Sequence, residues 1–476
     1  MKRRDFIKFS MFLSAGSFVG RTFAGEKDLK PNFIFFLADD LGWGDLGCYG
    51  HPKVKTPNID RLARQGTSFT SFYVNSPVCS PTRAGIMTGQ FPSRHGFHTQ
   101  IFGNPRRVKE MKIAEYLDPD VVLLPRILKR AGYETAHIGK WHLAFHGGTS
   151  PPRPEQYGID FSRTIEFDKD KIGTGWKEHR SSECFADQAL EFLKQRDKEK
   201  PFLMQLWFND PHNPYYPTNE HLKAYPKMPA NDKMTKYWAI ITEMDKQIGR
   251  ILDKVEQDGI SRNTYIIFSS DNGPGDPSDL SANEIAALGS AGPFRGTKGS
   301  LYEGGVRTPF IVACPGKVPA GRIDEKTQIS GVDLLPTFCS LAQASLPENY
   351  KSDGQDMSEA FAGKVQQRSK PLMWFYPIRY RAATINQSPV LSILDGDWKL
   401  LTNPNDSRTE LFKLDTDLTE TDNLVNQYPD VTKRLKSQLL NWYRSLPANT
   451  IEPGAGELTF PWPGEKWDAV TESLDN

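Results

Sequence analysis

Cysteine is scarce in this sequence: five residues, Cys48, Cys79, Cys184, Cys314 and Cys339, in a chain of 476. A count so small, and odd, excludes a disulfide scaffold. No C-x-x-C or Cys/His cluster supplies a zinc site. Charge of one sign is lacking too, with 59 Lys and Arg against 58 Asp and Glu for a net charge of +1. A nucleic-acid binder carries a basic excess or stripe, and none is present. Long hydrophobic runs are missing: the apolar stretch from Met11 to Gly20 is ten residues, half of the about 20 that cross a bilayer. There is no internal repeat. With 25% charged and 38% hydrophobic residues, the composition also excludes a collagen-like or disordered polymer. Turn formers are plentiful, 38 Gly and 35 Pro, which points to functional loops on a rigid scaffold. The length corresponds to roughly two or three domain-sized units.

Residues 1–24 are expected to be a signal peptide. Lys2, Arg3 and Arg4 form its positive start, and Thr22-Phe23-Ala24 offers a cleavage site. Arg3-Arg4-Asp5-Phe6-Ile7-Lys8 resembles a twin-arginine signal, which delivers an already folded protein to the twin-arginine export machinery. The expected location is therefore periplasmic or secreted. Removing this segment takes away five basic residues and one acidic residue, which turns the net charge from +1 to −3. No Cys lies near the cleavage site to carry a lipid.

From residue 25 to 370 short apolar runs alternate with helical periodicities. That pattern predicts an α/β domain with a large mixed, mostly parallel sheet flanked by helices. Strands are expected at Asn32 to Ala38, Tyr133 to Ile138, Phe202 to Phe208, Tyr265 to Ser269 and Phe310 to Ala313. Thr56 to Gln65 predicts a helix: Pro57 suits its first turn, Ile59, Leu62 and Ala63 share one face, and Gly66 ends it. Tyr237, Ile241, Met244, Ile248, Ile251 and Val255 mark a core-facing helix that stops before Gly259. Beyond residue 370 the texture changes. Met373 to Tyr376, Val390 to Leu394, Trp398 to Leu401 and Glu410 to Leu414 predict short antiparallel strands, and Asp395-Gly396-Asp397 a hairpin turn. Val431 to Leu446 predicts a closing helix, so 371–476 reads as a smaller C-terminal α+β domain.

Four of the expected strands end in chemistry. They run into Asp39-Asp40, Gly139-Lys140-Trp141-His142, Asn209-Asp210-Pro211-His212 and Asp271-Asn272-Gly273. Ligands of open parallel sheets bind beyond the carboxyl ends of the strands. An Asp after one strand is ordinarily a turn or cap, but four such endings place acids, a Lys and two His along one rim. Neighbouring Asp39 and Asp40 repel unless a positive charge intervenes. With Asp271 and Asn272 they form an oxygen-only set suited to calcium or magnesium. Calcium is favoured by the number of protein oxygens and the exported location. In Cys79-Ser80-Pro81-Thr82-Arg83, Pro81 fits the first turn of a helix running to Gly89. Cys79 then sits at a helix start, where anions bind, with Arg83 one turn in. As a residue alone, Cys79 reads either as a small buried hydrophobe or as a low-pKa thiolate.

C-S-P-T-R at 79–83 resembles the C-x-P-x-R signature of the type I, formylglycine-dependent sulfatases. Leu37 to Gly42, Thr56-Pro57-Asn58-Ile59-Asp60, Gly139 to His142, Pro211-His212, Asp271-Asn272-Gly273, Gly296-Thr297-Lys298 and Glu303 to Pro309 follow that family in order. The resemblance covers nearly all of the mature chain. It implies that a maturation enzyme oxidises Cys79 to formylglycine, whose aldehyde hydrate is the nucleophile. It implies calcium ligands at Asp39, Asp40, Asp271 and Asn272, with Cys79 as a further metal neighbour. Arg83 and Lys140 would hold the hydrate and sulfate oxygens, His142 would act as base, and His212 and Lys298 would bind sulfate and aid departure of the alcohol. Glu303 and Arg307 read as structural, beside a tight turn at Gly304-Gly305.

The expected activity is removal of sulfate from sulfated carbohydrate, algal polysaccharide or glycosaminoglycan oligosaccharides. A phosphatase or phosphodiesterase of the same superfold is the nearest alternative, but it calls for more His near the Asp pairs. A glycan-binding relative with an unconverted Cys79 is the other. Tyr215, Tyr216, His95, His98 and the loop from Phe145 to Tyr157 are candidates for the entrance, with Tyr376, Arg379 and Tyr380 reaching in from the second domain.

Overall fold

The computed structural model describes residues 29–101, 104–144, 151–168, 181–275, 289–379 and 387–457. The expected signal peptide, residues 145–150 of the entrance loop and Tyr380 lie outside them.

Nine strands build the main sheet: β1 (Asn32–Ala38), β2 (Thr67–Tyr73), β3 (Glu134–Gly139), β4 (Phe161–Thr164), β5 (Phe202–Trp207), β6 (Thr264–Ser270), β7 (Arg307–Ala313), β8 (Arg322–Asp324) and β9 (Ile329–Ser330). They lie in the order β4-β3-β5-β1-β6-β7-β2-β8, with β9 also on β2. Every pairing is parallel except those of β7, which runs against β6 and β2. The central strands are continuous apolar runs because both faces are covered. Along β1, Phe33, Phe35 and Leu37 enter one core while Ile34, Phe36 and Ala38 enter the other, the two-residue alternation of a pleat.

Three helices cover the second of these faces: α1 (Pro57–Gln65), α3 (Ser181–Gln195) and α4 (Lys233–Gln257). α1 buries Ile59, Leu62 and Ala63 as its periodicity requires. α4 is capped by Asp232, whose side chain accepts from the Thr235 amide at 2.8 Å. The opposite face meets α2 (Cys79–Thr88), α5 (Leu334–Leu341) and a separate four-stranded antiparallel sheet, β10 (Leu372–Phe375), β11 (Leu391–Asp395), β12 (Trp398–Thr402) and β13 (Thr409–Lys413). The closing helix, α6 (Pro429–Arg444), packs Leu435, Leu439 and Trp442 into the same core. No helix among the described residues is long and apolar enough to cross a membrane.

Candidate active site

The strands β3, β5, β1 and β6 are neighbours and all parallel. Their carboxyl ends therefore line one edge, and the four polar endings meet there. The Asp39 amide donates to the Asp210 carbonyl at 3.1 Å and the Asp271 amide to the Ala38 carbonyl at 3.0 Å, which extends the ladder one step past the strands. Asp40 and His142 then turn aside with φ of 65° and 53°, left-handed values that cost of order 1 kcal/mol or more for residues with a Cβ. Gly139, at φ 104°, has no such freedom to be replaced: a Cβ there would lie 2.0 Å from the Trp207 carbonyl.

Asp39, Cys79 and Asp271 each offer a ligand atom within 4.8 Å of the others, and so do Asp39, Asp40 and His212. Asp39 Oδ1 and Asn272 Oδ1 are buried without a hydrogen-bond partner. Buried oxygens so left are costly, and a hard divalent cation would satisfy both. The Asn272 amide nitrogen points the other way, donating to Asp40 Oδ1 at 2.7 Å. The residues thus fit an oxygen-bound cation.

Three cations face the three carboxylates. Lys140 pairs with Asp39. Lys298 donates to Asp40 Oδ2 at 2.8 Å. Arg83 reaches Asp271 Oδ2 through Nε at 3.1 Å and Nη2 at 2.6 Å, and the Lys140 carbonyl through Nη1 at 2.7 Å. The site is balanced by these six groups alone, so a divalent cation would leave it at about +2, suited to an anionic ester. His212 lies 3.6 Å from Asp40 through Nε2. Its Nδ1 is 2.7 Å from the Asn213 carbonyl, which makes Nε2 the atom that faces the site.

Burial raises the Asp39 carboxyl, but Lys140, then His212, Arg83 and Lys298, outweigh it and hold it well below the usual range. For Asp271, burial and the nearby Asp39 charge win over Arg83 and push it up to about 7. Two fully buried carboxylates this close are not both stable as anions without further positive charge. Burial also raises the Cys79 thiol, against the pull of Lys140 and Lys298, so the reactive-thiolate reading has no support here. His142 is pushed well below 6.5 by burial, Lys140 and Arg83. These causes all favour the uncharged ring.

α2 begins at Cys79 itself and every residue of it is buried. Of the entrance candidates, His98 packs edge-on to Phe375 at 5.2 Å, Tyr157 to Trp141 at 5.0 Å, and both are buried, as is Tyr376. Packing claims these rings, as it often does for loop aromatics. Tyr215 stands edge-on to Tyr237 at 5.3 Å, and Tyr216 keeps 52% of its surface exposed. One contact escaped sequence reasoning entirely: Glu166 accepts from the backbone amides of Trp141 and His142. No motif or spacing announces it.

Known proteins share this architecture. The family model described as Sulfatase matches residues 31–344, and that described as N-sulphoglucosamine sulphohydrolase, C-terminal, matches 295–445. N-acetylgalactosamine-6-sulfatase of Canis lupus familiaris is 32% identical over 385 residues, 75% of this chain and 70% of that protein. N-acetylgalactosamine-6-O-sulfatase of Bacteroides thetaiotaomicron is 28% identical over 506 residues, 87% of this chain and 93% of that protein. The crystal structure of Ps i-CgsB in complex with k-i-k-neocarrahexaose superposes with a TM-score of 0.72 at 25% identity, covering 94% of this chain and 97% of that one. Fold and rim together define an ester hydrolase of the alkaline phosphatase superfamily. Within it the chain belongs to the sulfatase family, and its activity is hydrolysis of sulfuric esters.

Proposed function

We propose that this sulfatase is an exported enzyme that releases sulfate from sulfated carbohydrate, using a formylglycine made from Cys79 and one calcium ion. The observation that carries the reading is Cys79 at the buried start of α2, with ligand atoms of Asp39 and Asp271 within 4.8 Å. Asp39, Asp40, Asp271 and Asn272 would hold the calcium. When present, the aldehyde hydrate supplies the oxygen nucleophile and the calcium offsets charge on the sulfate oxygens. The rest is the work of this chain's own side chains. Lys140 and Lys298 bind sulfate oxygens and stabilise the charge that builds there. Arg83, braced by its two hydrogen bonds to Asp271, helps Lys140 hold the hydrate and sulfate oxygens. His212 presents Nε2 to the departing alcohol oxygen, and neutral His142 takes the proton from the hydrate hydroxyl.

The glycan reading rests on relatives named for 6-sulfated N-acetylgalactosamine and on a fold neighbour bound to a neocarrahexaose. Residues 25–370 are the proposed catalytic unit and 371–476 the proposed smaller C-terminal unit. Periplasmic or secreted location, the twin-arginine machinery and the maturation enzyme are part of the same proposal.

Peptide mass at residue 79 and sulfate release from 6-sulfated N-acetylgalactosamine and sulfated galactan oligosaccharides test it together. An aldehyde at 79 with release from one of these sugars is the expected result. Release with a thiol at 79 overturns the formylglycine. An aldehyde without release from any sulfated sugar overturns the substrate class.

A further inference from the structure

The residue read as the catalytic base has no polar partner for its ring. His142 Nδ1 is buried without a hydrogen bond, although a working histidine usually has its second nitrogen held by a carboxylate or carbonyl. Something else must aim this imidazole. What holds His142 is its backbone. Glu166 Oε1 accepts from the Trp141 amide at 3.1 Å and from the His142 amide at 3.0 Å, and Oε2 lies 3.1 Å from the Trp141 amide.

The sheet explains how a carboxylate 24 residues away arrives there. β3 and β4 pair in parallel with Gly139 opposite Thr164, and the Ile165 amide still donates to the Gly139 carbonyl at 3.3 Å. The chains leave the sheet side by side. Two and three residues past Gly139 come Trp141 and His142; two past Thr164 comes Glu166. With φ of 53° at His142, successive N–H groups turn the same way, the arrangement known as an anion-binding nest. Here the anion belongs to the chain. A left-handed histidine persists only where its surroundings over-determine it, and this carboxylate is the group that does so.

We infer that Glu166 is a positioning residue: it fixes the His142 backbone in the left-handed conformation that aims the imidazole at the Cys79-derived nucleophile. The inference rests on the reading of His142 as base. It predicts that reach matters more than charge. Glu166→Asp keeps the charge but shortens the side chain by one methylene, so it cannot span both amides. Glu166→Gln keeps an acceptor at the same reach.

The test is steady-state kinetics on the matured enzyme with a sulfated sugar, melting curves, and a crystal structure of each variant. Glu166→Asp should lose kcat on the order of 100-fold, the scale of an approximately 1 Å misplacement, with KM within about twofold because Lys140 and Lys298 still hold the sulfate. His142 should relax away from positive φ in its crystal structure. Glu166→Gln should keep kcat within about threefold and the native His142 conformation, since its single oxygen at the Oε1 position still accepts from both amides and only the second contact to Trp141 is lost. Equal losses in both variants, full kcat in Glu166→Asp, an unmoved His142, or failure of Glu166→Asp to fold would each overturn the inference. His142→Ala is the separate control: full turnover there overturns the base assignment and leaves the backbone clamp as a structural fact.

Discussion

Cys79 is 3% exposed, and its thiol contributes little apolar surface, so its removal tests chemistry more than stability. Cys79→Ala should abolish sulfate release while the melting temperature moves by no more than a few degrees, as for a loss of about 1 kcal/mol. Undiminished turnover would sink the mechanism. Cys79→Ser should be equally silent unless the maturation system accepts serine. The acids differ in kind. Ligand atoms of Asp39 and Asp271 lie within 4.8 Å of each other, and Asp39 Oδ1 has no hydrogen-bond partner, so on the proposed reading the two acids would hold a cation and repel without one. Asp39→Ala or Asp271→Asn should lower calcium affinity and melting temperature together. In the unaltered enzyme a chelator should do the same. Calcium at 100 times its Kd adds about 2.7 kcal/mol by mass action. Calorimetry with and without chelator decides this, and no change in melting or activity would mean that the acids are merely structural.

At the level of elements, the segment that carries Lys298 is clamped from the second sheet. Lys399 on β12 lies wholly buried between Glu303 at 2.8 Å and Glu420 at 2.9 Å. Glu420 accepts the Glu303 amide at 2.6 Å, and its carbonyl accepts Arg295 Nη1 at 2.9 Å. On the other flank the Tyr302 hydroxyl donates to Glu410 on β13 at 2.8 Å. Backbones also stack tightly: a Cβ on Gly273 would lie 1.8 Å from the Gly304 carbonyl. Glu303 is held below its usual range because Lys399 and Arg307 outweigh its burial, whereas burial pushes Glu420 up to about 7 against Lys399. One lysine thus serves two acids. Lys399→Met should cost about 3–5 kcal/mol, because breaking a buried pair strands its partners, and a double Lys399→Met, Glu303→Gln variant should recover part of it. Denaturant unfolding checks both; additive losses would refute the pairing. These long-range clamps mark the limit of what the sequence discloses. The four strand ends were legible because buried parallel strands are unbroken apolar runs, and the site motifs follow them at once. β2 was not, because T-S-F-T-S-F-Y reads as polar; its hydroxyls are satisfied inside, as Thr67 shows by donating to the Pro319 carbonyl at 3.0 Å. α3 and α5 were passed over as well, and β7 starts at Arg307 and not at Phe310. The Glu166 and Lys399 contacts join residues far apart in sequence, where no periodicity operates.

For the whole molecule, order of events follows from burial. Phe33 on the main sheet, Leu411 on the second sheet and Trp442 on the closing helix share one core, and the Trp374 indole donates to the Val74 carbonyl at 2.8 Å across the junction. A continuous core favours folding as one cooperative unit, and α2 is enclosed within it. Once folded, Cys79 is beyond the reach of another enzyme's active site. A twin-arginine signal exports proteins already folded. On the proposed export route and conversion, oxidation of Cys79 would precede folding, in the cytoplasm, and the protein would cross the membrane carrying its aldehyde. Replacing Arg3 and Arg4 by Lys should trap a folded, converted, active sulfatase in the cytoplasm. Cell fractionation, an aryl-sulfate assay and the mass of the peptide containing residue 79 read out each part. If the trapped protein is folded but still carries the thiol, the order is wrong. If the double-Lys form reaches the periplasm at normal levels, the export route is wrong while the order can stand, since an unfolded chain threaded through a different channel would meet the maturation enzyme at the same stage.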